Sequence, residues 1–415
     1  MLKAFESGGK MSAPSFPDKL EELSPELLTS MLTQSWPGVL VQDLQVVGRG
    51  ERGDGSTSTA DRAVLELRFA PGRDAGLPSR MLLKTILLHR SLRLGASAIG
   101  ITGRFLHALD SVPFGQEVRP LVFSAIRAYQ KRFPHAPDAM YLNEVRFYRD
   151  LRPELQIETP SCFLSVYDER RRSFGVLMED LSLRSAQFPN ATMALDVERI
   201  RELLTTLAGL HAHFWESERF NGDLSWVATP RSGGMYPVFQ ALGLDIIRNQ
   251  VETSPFKAEL IAPLGRTVDQ LWDSLWKLQE ILDSGPTTLL HGDPHIANTY
   301  LLPETGAGLL DWQLMIRGRW AHDVTYVMVT GLDPETRRKH ERELLAFYLE
   351  ELRRLGVREA PAPEAAFELY RRTVAWGLVI GWLITPPENY GEAITAANIE
   401  RLVTAARDLE TFRLL

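Results

Sequence analysis

The chain has 415 residues, 44% hydrophobic and 24% charged, with 30 Gly and 25 Pro, so disordered, collagen-like and coiled-coil readings of the whole are excluded. Its formal charge is −7, with 46 Lys and Arg against 53 Asp and Glu and no long basic run, which removes the electrostatic footing for a nucleic-acid partner. The single cysteine, Cys162, permits neither an intrachain disulfide nor a Cys-x-x-Cys zinc site and fits a reducing, cytoplasmic setting.

The N-terminus, MLKAFESGGKMSAPSF, has no apolar signal-peptide core, and residues before Ser24 read as a weakly ordered leader. Ser24-Pro25-Glu26 combines an N-cap, a proline at the first helical position and an acidic first turn, which predicts a helix through Leu27, Leu28, Met31 and Leu32. Three strands follow between Val41 and Leu88: LVQDLQVVG, then AVLELRF, then SRMLLKTILL, which carries Lys84. In the second, Leu65, Leu67 and Phe69 alternate with Glu66 and Arg68. Residues 89–135 are mixed and Arg-rich. Beyond them APDAMYLNEVRFYRDL sets Met140, Val145, Phe147 and Tyr148 at helical intervals and carries Glu144. SCFLSVYD and SFGVLMEDL complete a five-strand reading of the first half.

Past Ser182 helical patterns dominate, in ERIRELLTTLAGLHAHFWES, VDQLWDSLWKLQEIL, RKHERELLAFYLEELRRLG and a last helix toward Leu415. The division is therefore a leader and helix over 1–40, a strand-rich lobe over 41–181 and a helical lobe over 182–415. One β-like island, Thr299 to Asp311, reads as a hairpin around a Pro-Glu-Thr-Gly turn. The longest apolar run, Val374 to Ile384, is interrupted by glycine and is about half the ~20 residues a membrane span needs, so no membrane partner is expected.

The chemistry gathers around the hairpin. LLHGDPHIANTYLL precedes it and LLDWQ closes it, which places Asp293, Asn298 and Asp311 at offsets of 5 and 13 residues. Phosphoryl transfer needs these group types: one Asp to accept the proton of an attacking hydroxyl, and an Asn and an Asp to hold Mg²⁺ against phosphates. Taken alone, Asp293 would read as a loop-capping residue. Gly48, Gly50 and Gly53 form a literal G-x-G-x-x-G, and the next element alternates as a strand rather than a dinucleotide-fold helix. A Gly-rich flap over phosphates, with Gly50, Gly53 and Ser56 as contacts, is the reading, against a plain flexible hairpin loop. Lys84 sits in an apolar strand where an unpaired ammonium is costly, so a partner is required; Glu144 supplies it, with Glu154 and Glu158 as fallbacks.

HGDPHIAN followed by LLDWQ resembles the catalytic and metal-binding loops of the aminoglycoside/choline phosphotransferase group, which shares the protein-kinase fold. LHAHFW, VLMEDL and AHDVTYVM bring the resemblance nearest to the ecdysteroid-kinase-like family, from the Ser24 helix to the terminal helices and most strongly from His291 to Met328. The resemblance implies Asp293 as catalytic base, Asn298 and Asp311 as metal ligands, and Lys84 as the phosphate-binding lysine held by Glu144. His295 joins Asp293 as a group within reach of substrate, its alternative role being to fix the loop. His291 is implied as a loop anchor and Asp323 as a helix cap that braces the loop. VLMEDL becomes the lobe hinge, where backbone groups of Glu179 and Leu181 meet an adenine edge and Met178 its face.

The expected fold is α+β, protein-kinase-like and bilobal, with a five-stranded antiparallel sheet in the N-lobe and a mainly helical C-lobe. The expected activity is transfer of the γ-phosphoryl group of ATP, with Mg²⁺, to a small-molecule hydroxyl acceptor. Trp215, Trp226, Tyr236, Trp376, Trp382 and Tyr390 in a helical half that is not dense in acidic groups favour a fairly apolar, steroid-like alcohol. Aminoglycoside- or choline-type acceptors and a nucleotide-binding pseudokinase are the alternatives, with no obligate protein partner evident. A protein kinase is disfavoured because GRWAHDVTYVM follows DWQ almost at once, with no long activation segment.

Overall fold

The computed structural model describes residues 16–49, 60–85 and 138–415, apart from 18, 172, 237, 238 and 305. Helix α1 (Pro25–Leu32) starts where its cap lies, the Leu27 N–H donating to Ser24 Oγ at 3.2 Å. Strands β1 (Val41–Arg49), β2 (Asp61–Phe69), β3 (Arg80–Thr85), β4 (Cys162–Asp168) and β5 (Ser173–Glu179) form one five-stranded sheet in the order β1-β2-β3-β5-β4, antiparallel throughout.

Period-two alternation gives each face of the sheet its own core. Leu65, Met81, Leu83 and Leu177 pack with Leu28, Met31 and Leu32 of α1, whereas Phe174, Val176 and Met178 pack with Tyr141 and Val145 of helix α2 (Asp138–Arg146). Register pairs Leu82 with Met178 and Lys84 with Val176, so Lys84 belongs to the α2 face. The segment before Ser24 is more ordered than a leader over its described part. Phe16, Leu20 and Leu23 are buried with α1, and the Phe16 ring lies so close to Gly175 that a Cβ there would stand 2.1 Å from it.

After β5 the chain makes a short 3₁₀ turn, Leu181–Arg184, and enters the helical half. Its helices are α3 (Val197–His213), α4 (Leu244–Thr253), α5 (Pro255–Ile261), α6 (Val268–Leu282), α7 (Ala321–Gly331), α8 (Pro334–Arg354), α9 (Pro363–Trp376) and α10 (Glu392–Asp408). Their starts are capped as the sequence allows: Asp196 accepts from Arg199 N–H at 2.8 Å, Thr267 and Gln270 form a capping box, and Asp333 precedes Pro334. α7 is buried along its whole length and carries the core of this lobe. The apolar run after Val374 leaves α9 as a π-helical segment, Gly377–Leu383, rather than as one regular helix. Among the described residues no helix is long and apolar enough to cross a membrane.

The expected hairpin forms, with β7 (Thr299–Leu301) antiparallel to β8 (Ala307–Leu309). On either side of it β6 (Thr288–Leu290) pairs with β9 (Ile316–Gly318). These two small ribbons fix both ends of the loop that carries Asp293 and Asn298, and they fix the turn that carries Asp311.

Candidate active site

The Lys84 ammonium is buried and shared by two carboxylates, Glu144 at 2.8 Å and Asp311 at 3.1 Å. Glu144 is itself buried and also accepts from Gln313 Nε2 at 3.3 Å. Burial pushes the Glu144 carboxyl above its ordinary value, with the Lys84 ammonium acting against that rise. Neither fallback takes its place: Glu154 pairs with Arg219 and Glu158 with Arg184, each at 2.7 Å.

Helix α2 is held over Asp311 by more than this ion pair. Asn143 Nδ2 donates to the carbonyls of Gln313 and Met315 at 3.1 and 3.2 Å. A π-helical turn, Phe147–Leu151, extends α2, and the Phe147 ring stacks on Trp312 with centroids 3.5 Å apart. Trp312 Nε1 donates to Thr159 Oγ1 at 3.1 Å. Asp311 adopts φ +67°, a left-handed backbone that costs a non-glycine residue about 1–2 kcal/mol and that aims its carboxylate back at Lys84.

The loop below is braced by one fully buried carboxylate. Asp323, in the first turn of α7, accepts from the backbone N–H of His291 at 2.7 Å and of Gly292 at 3.0 Å. It also lies 3.2 Å from His211 Nε2, and His211 Nδ1 meets the Tyr348 hydroxyl at 2.7 Å. Burial works to raise the Asp323 pKa, yet the His211 hydrogen bond and the surrounding imidazoles hold it below the ordinary carboxylate value. His291 lies between Asp293 N–H, which approaches Nδ1 at 3.2 Å, and the Leu310 carbonyl, which accepts from Nε2 at 2.7 Å. Those two contacts fix a neutral tautomer, in line with the downward push that burial gives its pKa. Gly292 has φ +85°, and a Cβ there would sit 1.9 Å from the Leu314 carbonyl oxygen, so no other residue fits beside Asp293.

Asn298 Nδ2 donates to the backbone oxygen of Asp293 at 2.9 Å and to its carboxylate at 3.1 Å, while the Asn298 carbonyl accepts from Leu310 N–H at 2.8 Å. Asn298 is thus bonded directly to Asp293 and to Leu310, the residue before Asp311. His295 Nε2 stands 3.8 Å from Asp293 Oδ2, and its buried ring is surrounded by Tyr326, Trp382 and Tyr390 at centroid distances of 6.0, 5.3 and 5.7 Å.

Above Asp311 a cavity of about 430 Å³ is lined by Leu82, Lys84, Met178, Leu181, Phe188 and Leu310, among others. Met178 and Glu179 reach it from the end of β5. At the hinge the Glu179 N–H is bonded to the Ser161 carbonyl at 2.9 Å, and the Leu181 carbonyl accepts from Ala186 N–H at 3.3 Å. Asp180, which sequence reasoning passed over, lines the same cavity, accepts from Arg80 at 2.6 Å and caps the turn through Ser182 N–H at 3.0 Å. Gly50, Gly53 and Ser56 lie outside the described residues, as does the 89–135 stretch. Gln313 and His211 were also missed. Each is a polar residue within an apolar run, a signal that a buried partner is needed.

The model of the Ecdysteroid kinase-like family matches residues 125–357, more than half of the chain and all of the segment from Glu144 through Asp323. The chain belongs to the Ecdysteroid kinase-like family. Members of this family are phosphotransferases acting on hydroxyl groups of small molecules, and the chain is an enzyme of that class, with the protein-kinase-like α+β fold. The Ecdysteroid kinase-like match begins after Lys84, so the place of that residue rests on geometry alone. Among solved structures the chain is similar to choline kinase LicA from Streptococcus pneumoniae, at 13% identity over 93% of this chain and 99% of that one, TM-score 0.41. It is similar also to spectinomycin phosphotransferase APH(9)-Ia in complex with ADP and spectinomycin, at 12% identity over 94% and 99%, TM-score 0.44. A third is Plasmodium vivax ethanolamine kinase, at 10% identity over 88% and 81%, TM-score 0.41. No curated protein sequence matches the chain.

Proposed function

We propose that the chain is a MgATP-dependent kinase that moves the γ-phosphoryl group onto a hydroxyl of a small, fairly apolar alcohol, with steroid-like alcohols as the first class to test. The observation that carries this is the Lys84 ammonium shared between Glu144 and Asp311 at 2.8 and 3.1 Å on the wall of the 430 Å³ cavity. A buried cation oriented by one carboxylate and set beside another suits the phosphates of a bound nucleotide. The adenine would lie between Leu82, Met178 and Leu310, with its edge toward the backbone of Glu179 and Leu181.

Asp293 accepts the proton of the attacking hydroxyl as the new P–O bond forms and the bond to the bridging β-phosphate oxygen breaks, releasing ADP. Asn298 orients the Asp293 carboxylate for that role by its bond at 3.1 Å. Asn298 spends its Nδ2 on Asp293, so its amide oxygen is the atom that faces a cation, and Asp311 supplies a carboxylate. Among the described residues no three His, Cys, Asp or Glu side chains form a metal cluster on their own. Two protein ligands completed by phosphates and water is the pattern that suits Mg²⁺, which would neutralise charge on the phosphates when bound. Tyr390, half-buried beside His295 and Trp382, supports an acceptor with apolar surface over a polycationic one.

The test is acceptor-dependent ADP release from MgATP across ecdysone, simpler apolar alcohols, choline and kanamycin. Turnover on an apolar alcohol that Asp293→Ala abolishes, with MgATP affinity kept, is the expected result. Equal turnover in the variant refutes the assignment of Asp293, and turnover on choline or kanamycin alone refutes the acceptor class.

A further inference from the structure

Lys257, on α5, takes no part in the chemistry above, yet it is 0% exposed. Its Nζ donates to the backbone carbonyls of Trp382, Leu383 and Thr385 at 3.2, 3.0 and 2.6 Å. An ammonium has three protons to give, and each finds a carbonyl here. Among the described residues no carboxylate forms an ion pair with it. Burial lowers its pKa, with Glu388 acting the other way.

The carbonyls it gathers are those at the C-terminal end of the π-helical segment Gly377–Leu383, where a helix runs out of intrahelical donors. Trp382, whose ring faces His295, contributes one of them, and its ring stands 5.3 Å from Tyr390. The segment is also pressed against Tyr326. Side chains at Gly377 or Gly381 would place a Cβ 2.8 Å or 2.3 Å from the Tyr326 ring carbon or hydroxyl. The backbone that presents Trp382 is therefore fixed by two contacts, a ring admitted through two glycines and one buried cation.

We propose that Lys257 is a positioning residue for the acceptor side of the active site: its ammonium holds the Trp382–Thr385 backbone, and with it the aromatic wall that Trp382 and Tyr390 set against His295 and Asp293. This rests on the placement of the acceptor beside His295 in the reading above. Its three hydrogen-bond acceptors all lie on the Trp382–Thr385 backbone, and Lys257 does not line the cavity beside Lys84, so its effect is expected on the acceptor and not on the nucleotide.

The experiment compares the full chain with Lys257→Met, which keeps the aliphatic stem and removes every donor, and with Lys257→Arg, which returns charged donors. In the methionine variant, backbone amide exchange over residues 382–391 rises about tenfold or more, while exchange over 291–298 stays as in the parent. The arginine variant restores protection. With ecdysone as acceptor probe, KM for ecdysone rises about tenfold in the methionine variant, with KM for ATP unchanged. Unchanged exchange over 382–391, or an equal rise in both KM values, overturns the proposal. Should the parent chain leave ecdysone untouched, the substrate reading falls, and the exchange comparison with its arginine rescue still decides Lys257.

Discussion

Replacing Asp323 by asparagine isolates the brace beneath the catalytic loop with almost no change in volume. One carboxylate oxygen accepts from His291 N–H and meets His211 Nε2, and the other accepts from Gly292 N–H. Asparagine keeps a single acceptor oxygen. Whichever way the amide settles, its NH₂ faces at least one N–H at full burial. The loss is one hydrogen bond to a charged group, about 1.5–3 kcal/mol, and one unsatisfied buried donor, about 1–3 kcal/mol, so unfolding free energy should fall by about 3–5 kcal/mol. If Gly292 N–H is the donor released, the peptide next to Asp293 loses its anchor, and a displacement of about 1 Å there costs about 100-fold in kcat. Urea unfolding at neutral pH followed by tryptophan fluorescence gives the first quantity, and ADP release gives the second. A stability loss under about 1 kcal/mol with unchanged turnover would refute the idea that this carboxylate carries the loop.

Lys84→Met leaves Glu144 buried without its cation and should cost about 3–5 kcal/mol in stability together with most nucleotide affinity. Adding Glu144→Gln should return much of the stability and none of the affinity, which thermal melts with and without MgATP will separate; recovery of both would count against the role of Lys84 at the phosphates. The pH dependence follows from Lys257, whose pKa falls from 10.5 in the open chain to about 8 in the fold, chiefly through burial. Between those values the unfolded chain holds the extra proton, so this group's contribution to stability rises with pH across that window, by about 3 kcal/mol in all. Unfolding free energies of the parent and Lys257→Met measured from pH 7 to about 10.5 should diverge in the parent's favour as pH rises, and a constant difference would contradict the shift.

The strand order of the first lobe was not in the sequence, but the alternation of Leu65 and Leu67 with Glu66 and Arg68 was, and so was the demand of a buried Lys84 for a carboxylate. Asp293, Asn298 and Asp311 were legible because a loop and hairpin place closely spaced residues together irrespective of what surrounds them. The hinge was only half legible. Whether Glu179 N–H is spent depends on how far the β4 edge continues past Cys162, and pairing across sequence-distant strands leaves no local mark. The π-helical segment was hidden for a different reason: VAWGLVIGWLI is apolar on every side, so no face pattern distinguishes one helical winding from another. Phe16, Leu20 and Leu23 were passed over although their offsets of four and three residues fit a helical face, because Pro14 and Pro17 interrupt the stretch and only a 3₁₀ turn, Leu20–Glu22, forms there.

The Trp312 stack on Phe147 and its bond to Thr159 also bear on how this enzyme becomes competent. Only Trp312 to Trp320 separate Asp311 from the start of α7, and that short span is bonded to α2 through Asn143 and Gln313. Swinging Asp311 away from Lys84 would disturb an aromatic stack, an indole hydrogen bond and three amide hydrogen bonds together. Among the described residues, packing α2 against this span is thus enough to hold Asp311 beside Lys84, so the lysine, its carboxylate and the metal-side carboxylate are set by the same folding event.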